Sequence, residues 1–246
     1  MGKRHESVKT LHTRTRVERT KEAGQWALIC RGATGNLRRR SSLDDLAVAL
    51  REHGCSSLRF DYQHSLYPRR GERLRTLKTM LADVARALAF VLGTNGRAPD
   101  FVVGRGFGAR LALQALKRYP DVPLVMWAPI VWLQTSLEIR SRLHEIRRHG
   151  VTSFDNTRIG GRFVARLEDP TDAEIKSWIV PKRRHIIVHG KDDAVVPARF
   201  VDEAVKLIKS AGGGVQVIAV PGGHPHPGGN VAPQIAEIVK AVRRLG

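Results

Sequence analysis

Residues 101–117 read FVVGRGFGARLALQALK. Phe101, Val102 and Val103 are strand formers, Gly104, Gly106 and Gly108 spell a tight turn, and LALQALK carries a helical pattern. Strand, glycine turn and helix in succession present the middle of the turn at the carboxyl end of a strand, where open α/β sheets meet their ligands. The middle residue is Gly106, which has no side chain.

The same alternation extends in both directions. WALIC (26–30) is an apolar run that closes in glycine-rich RGATGN, and CSSLRFDY (55–62) reads as the next strand. Between them Ser42 stands as an N-cap with Asp45 three residues on, the spacing of a capping box. Leu43, Leu46, Ala47 and Leu50 follow at helical intervals, with Gly54 as a C′ glycine. Leu74, Leu77, Leu81, Val84 and Leu88 mark a long amphipathic helix ending near Gly93 and Asn95. PLVMWAPIVW (123–132), HIIVHG (185–190) and VQVIAVP (215–221) are further strands. Helices bearing Val201, Ala204, Val205 and Ile208, and then Ile235, Ile238, Val239 and Val242, follow the last two. Repeated strand–helix units require parallel pairing with right-handed crossovers. The fold class is therefore α/β, a doubly wound, mostly parallel sheet covered on both faces.

Two stretches depart from the rhythm. VKTLHTRTRVERT (8–20), in a basic segment spanning residues 1–25, suggests an antiparallel edge hairpin. Residues 135–184 hold charged helical patches, SLEIRSRLHEIRRHG, and a loop-like TSFDNTRIGG between two core strands. So long an interval reads as an inserted helical cap on a core formed by 26–134 and 185–246.

Composition narrows the classes. The 246 residues are 42% hydrophobic, ordinary for one large globular domain. No apolar run approaches the ~18 residues of a membrane span, and the basic opening lacks the apolar region of a secretory signal, so the expected location is cytoplasmic. Cys30 and Cys55, the two cysteines, read as small buried residues of a reducing compartment. The formal charge of +19 favours anionic partners: a small anionic ligand, nucleic acid or an acidic protein. Solvated helix faces rich in arginine give the same total. Aromatics at 6% offer few stacking platforms for bases, and no RNA- or DNA-binding motif accompanies the charge. Arg38, Arg39 and Arg40 concentrate it in one loop.

Three further features lie after strands beside the 104–108 turn: RGATGN, HGKDDAVVP with Asp192 and Asp193, and PGGHPHPGG with His224. An acid and a histidine after two late strands, with two loops able to point backbone N–H groups inward, suggest an acyl-transfer site. From about Trp26 onward the chain resembles the α/β-hydrolase superfamily, in particular its serine esterase and serine aminopeptidase-like branch. RGATGN resembles the oxyanion loop, GRGFG the G-x-S-x-G elbow, HGKDDAVVP the acid motif and PGGH the histidine motif, in the family's order.

What the resemblance implies is divided. His224 matches the general base, Asp193 the carboxylate that orients it (with Asp192 as the neighbouring alternative), and the backbone N–H groups of Ala33 and Phe107 the oxyanion hole. The nucleophile position is Gly106, and the oxyanion loop's usual histidine is Arg31. Without an Oγ no acyl-enzyme forms at this elbow. Arg31, Arg38, Arg39, Arg40 and Arg105, on loops at the strand carboxyl ends, form a candidate anion-binding set. No cofactor is implied, and His224 with His226 lacks a third metal ligand. The plainer readings are that Gly106 only relieves turn strain, that Asp193 caps the helix after it, and that the glycines at 222, 223, 228 and 229 keep the histidine loop mobile. A nucleophile elsewhere would have to come from Ser136, Ser141, Ser153 or Cys30.

Overall fold

Apolar alternation becomes a sheet because side chains on successive strand residues face opposite sides. The computed structural model describes residues 14–20, 24–34, 37–133, 145–146, 148–154, 157–164, 168–225 and 229–245. Its strands are Thr15–Glu18 (β1), Gln25–Cys30 (β2), Cys55–Phe60 (β3), Phe101–Arg105 (β4), Leu124–Trp127 (β5), Val151–Phe154 (β6), Thr157–Gly160 (β7), Arg184–Gly190 (β8) and Gly214–Val220 (β9). Seven of them form one sheet in the order β1-β3-β2-β4-β5-β8-β9. Only β1 runs antiparallel to its neighbour; the pairs from β3 to β9 are parallel. All the carboxyl ends of the parallel strands therefore open on one edge, which is where the candidate loops sit.

The helices are Ser42–Glu52 (α1), Leu77–Asn95 (α2), Phe107–Ala115 (α3), Gly161–Val164 (α4), Asp172–Trp178 (α5), Ala198–Ser210 (α6) and Ala232–Arg243 (α7). Leu28, Cys30, Val102 and Ile187 pack on one face with Met80, Val84, Leu111 and Val201 of α2, α3 and α6. Ala27, Ile29, Phe101, Val103, Ile186 and Val188 face the other way, against Leu46, Leu50, Ile235 and Ile238 of α1 and α7. The doubly wound α/β sheet read from the sequence is the one present.

Several local expectations are corrected. The N-cap of α1 is Ser41, whose capping box closes on Asp44, one residue earlier than the Ser42–Asp45 reading. Ser42 is buried instead and turned toward the histidine loop. The helix read from Leu74 begins at Leu77 behind the Thr76 cap, while its end at Asn95, capped by Gly96 at φ 71°, is where the sequence put it. The strand read over 123–132 stops at Trp127, because Ala128 takes a φ of 44° that extended pairing does not allow. At the N-terminus, β1 is an edge strand on β3, with Thr15 opposite Phe60; residues 8–13 of the expected hairpin lie outside the described residues. TSFDNTRIGG is not a loop: β6 and β7 pair antiparallel, Thr152 opposite Ile159. Among its described residues, the segment 135–184 therefore holds strands as well as helices.

Candidate active site

The turn after β4 has the geometry of a nucleophile elbow. Gly106 sits at φ 56°, ψ −124° between β4 and α3, a conformation that costs an L-residue strain. Its N–H donates to Trp127 O at 2.9 Å, and its carbonyl accepts from Ala109 and Ile130, each at 3.0 Å. The neighbouring glycines answer to space. A Cβ on Gly104 would stand 2.5 Å from Ala109 Cα, and one on Gly108 2.3 Å from Cys30 O. At Gly106 the nearest atom would be Ile130 Cδ1 at 3.6 Å, an ordinary contact. The flanking glycines are required by close approach, whereas a side chain would fit at the centre.

The loops after β8 and β9 bring the expected acid and histidine together. His224 Nδ1 lies 2.9 Å from Asp193 Oδ2, with the Asp193 side chain fully buried. Asp193 Oδ1 accepts the N–H groups of Val195 and Val196 at 2.9 and 2.8 Å. Burial pushes this carboxyl up, but the hydrogen bond and charge of His224 and the Val196 N–H outweigh it, leaving the group below its ordinary value. A carboxylate on Nδ1 favours the tautomer that carries its proton on that nitrogen. Asp193 does not cap α6, whose N-cap is Pro197. Asp192 turns away from the histidine: its Oδ2 accepts Gly222 N–H at 3.2 Å.

Glycines in the histidine loop suggest mobility, yet both neighbours of His224 are tied. Gly223 O accepts from Gln234 Nε2 at 2.8 Å, and Gln234 is itself bonded to Trp127 Nε1. Pro225 O accepts from Arg105 Nη1 at 2.9 Å and from Ser42 Oγ at 3.3 Å. His226 and Gly228 lie outside the described residues. Among those described, no group of three His, Cys, Asp or Glu side chains is placed to hold a metal.

The two residues expected to donate oxyanion-hole N–H groups, Ala33 and Phe107, occupy different settings. Phe107 opens α3, where the helix supplies no partner for its N–H. Ala33 is on the loop after β2, its carbonyl held by Arg75 Nη1 at 2.5 Å. The close approach of Gly108 to Cys30 O and Arg31 O packs that loop against the elbow, and Tyr62 Oη donates to Arg31 O at 2.7 Å.

The arginine set divides sharply. Arg31 is 5% exposed and pairs with Asp61 at 2.5 Å, so its guanidinium holds the loop instead of facing a ligand. Arg105 is engaged by Ser42 Oγ and Pro225 O. Arg40 pairs with Asp45 at the surface, and Arg39 is exposed. Arg38 lines a cleft with Arg14, Arg73 and Arg75. The last three were not singled out from sequence, although Arg69, Arg70, Arg73 and Arg75 crowd seven residues there.

Among alternative nucleophiles, Cys30 is fully buried and its thiol is pushed far up by that burial. Ser136 and Ser141 lie outside the described residues, as does the Ser153 side chain.

No protein-family model matches the chain, and no curated protein matches it in sequence. Solved structures do. Est1E from Butyrivibrio proteoclasticus is 17% identical with a TM-score of 0.65, covering 94% of this chain and 92% of its own. Alpha/beta hydrolase domain-containing protein 10 from mouse is 17% identical at TM-score 0.61, covering 98% and 96%. An alpha-beta serine hydrolase homologue from Coxiella burnetii is 18% identical at TM-score 0.63, covering 99% and 97%. The chain aligns with these neighbours over nearly its whole length, and its mostly parallel seven-stranded sheet with flanking helices matches theirs: it has the α/β-hydrolase fold.

Proposed function

We propose that this α/β-hydrolase-fold protein works without a covalent acyl-enzyme, as a non-hydrolytic relative that binds an anionic ligand or partner. The observation that carries the reading is Gly106: the elbow keeps its strained backbone while the position aimed into the site carries no oxygen. Losing the serine of a triad lowers turnover by roughly a millionfold. The net charge of +19 supports an anion, nucleic acid or an acidic protein as partner. No described helix is long and apolar enough to cross a membrane. A fluorophosphonate probe tests the proposal directly, with no labelling expected on the unaltered protein. Covalent capture of the probe, or of an ester's acyl group, overturns it.

One observation favours a second reading. The buried His224–Asp193 pair is built as a general base, and without a serine it would act on substrate or water directly, in a lyase, proton-transfer or water-activating reaction without a cofactor. Under this reading His224→Ala abolishes turnover in a screen of small esters and acidic C–H substrates. Turnover that survives the substitution removes it.

A further inference from the structure

Arg75 is a buried cation without a carboxylate beside it. It is 9% exposed and donates to three backbone carbonyls: Ala33 O at 2.5 Å, His64 O at 2.8 Å and Tyr62 O at 3.1 Å. Its Cζ lies 5.4 Å from the Tyr62 ring centre. Among the described residues no acid stands within ion-pair distance of it. Asp61 and Asp83 act on it only from further away. Asp61 is held by Arg31 and Arg14, and Asp83 by Arg86 and Gln63 N–H. Burial pulls the guanidinium down to about 10, so it stays charged at neutral pH. Leaving a cation buried without a counter-ion is costly.

That cation forms one wall of a cleft of about 600 Å³ beside β1, lined by Arg14, Arg38, Arg73, Arg75, His64 and Glu72, with Gln63 and Ser65. Among the described residues that line it are four arginines and one carboxylate, Glu72, which already accepts from Arg69 N–H at 2.9 Å. Arg73 is exposed, and the weak contact of Arg14 with Asp61 spans 3.7 Å. Guanidinium forks match phosphate oxygens two at a time.

We propose that this cleft binds a soluble, multiply charged phosphorylated small molecule, with Arg73 and Arg14 gripping phosphate oxygens and Arg75 supplying the fixed charge behind them. The assignment rests on the reading that the protein binds an anion and names where and what. Among the described residues, His64 is the one ring in the lining of this concave pocket, too few stacking faces for a nucleic acid. The cleft is joined to the loop after β2 through the Arg75–Ala33 hydrogen bond.

The test is calorimetric titration of the full chain with inorganic pyrophosphate in low-salt buffer. Saturable one-to-one binding is expected, weakened at least tenfold by Arg73→Glu, roughly 1.4 kcal/mol. Lys209→Glu, the same charge reversal on exposed α6 at the opposite end of the sheet, is expected to leave affinity within a factor of about two. Equal losses in the two variants, no pyrophosphate binding at millimolar concentration, or citrate bound as tightly as pyrophosphate each overturn the proposal. So does binding to single-stranded RNA or to anionic vesicles that pyrophosphate does not displace. Both substituted residues are exposed, so a melting curve matching the parent excludes misfolding as the cause. Fluorophosphonate labelling would defeat the proposed function and leave this titration untouched, which keeps the two failures apart.

Discussion

Arg105 reaches across the site to Pro225: its Nη1 lies 2.9 Å from the proline carbonyl and 2.7 Å from Ser42 Oγ. The residue entering the elbow thus holds the residue that follows His224, and α1 is tied into the same junction. This cation is a structural clamp between the two loops. Arg105→Met should lower stability by about 1–3 kcal/mol through the lost charged hydrogen bond. It should also speed exchange of the His224 Nδ1 proton seen by NMR. A variant with unchanged exchange would show that the clamp does not position the histidine.

Gly106→Ser is expected to fold. A Cβ there meets only Ile130 Cδ1 at 3.6 Å, and the cost is that of a side chain at φ 56°. That strain is about 1–3 kcal/mol, or a fall in Tm of about 2–4 °C per kcal/mol for a chain of this size. With His224 and Asp193 in hydrogen-bond contact, the variant should acquire fluorophosphonate labelling that the parent lacks. A folded variant that stays unlabelled would mean that the dyad is not aimed at position 106.

Gly108→Ala should be far worse than Gly106→Ala, although its backbone is helical. The new methyl group would fall 2.3 Å from Cys30 O and 2.4 Å from Arg31 O, both backbone atoms that cannot move alone. Paired urea melts decide the ranking. Equal midpoints would contradict the close approach of the two loops.

Acid should weaken the fold through His185. The residue is 1% exposed, its Nδ1 bonds Gly214 O at 3.0 Å, and its Nε2 has no partner. Burial pulls its pKa from 6.5 down to about 4. Between those values the unfolded chain takes up a proton that the native chain does not, so stability falls as pH drops from 6.5 toward 4, by about 3 kcal/mol in all. Buried His189 shifts the same way. Asp193, depressed below its ordinary value, adds stability that is lost only at still lower pH. Urea unfolding of His185→Leu should show a shallower loss between pH 6.5 and 4.5 than the parent, whatever its absolute stability. Parallel slopes would remove His185 as the acid-sensitive group.

The strand–helix order was legible because hydrophobic periodicity is local: Val102 and Val103 face opposite helices by the pleat of β4 alone. Boundaries were less so. Ser41 and Ser42 are equivalent caps on paper, and the choice fell to Asp44, whose carboxylate reaches the Ser41 N–H at 2.8 Å. The shortening of β5 rests on the backbone of Ala128, which hydrogen-bonds Val188 O across the sheet, an arrangement no neighbouring residue encodes. Of the expected N-terminal hairpin, the antiparallel edge strand is present on β3, and residues 8–13 lie outside those described.

The amino-acid order alone established the repeating α/β pattern, the succession of a glycine turn, Asp192-Asp193 and His224 after three strands, and the absence of an oxygen at Gly106, since each is a property of residue type and spacing. Tertiary structure decided which charges are spent. Arg31 meets Asp61 thirty positions on, Arg105 meets Pro225, Asp192 yields His224 to Asp193, and Arg75 finds carbonyls but no acid. Partners so distant along the chain are chosen by how loops pack at one sheet edge. A guanidinium's charge is written in the sequence; whether it is neutralised depends on what folding places within about 4 Å of it.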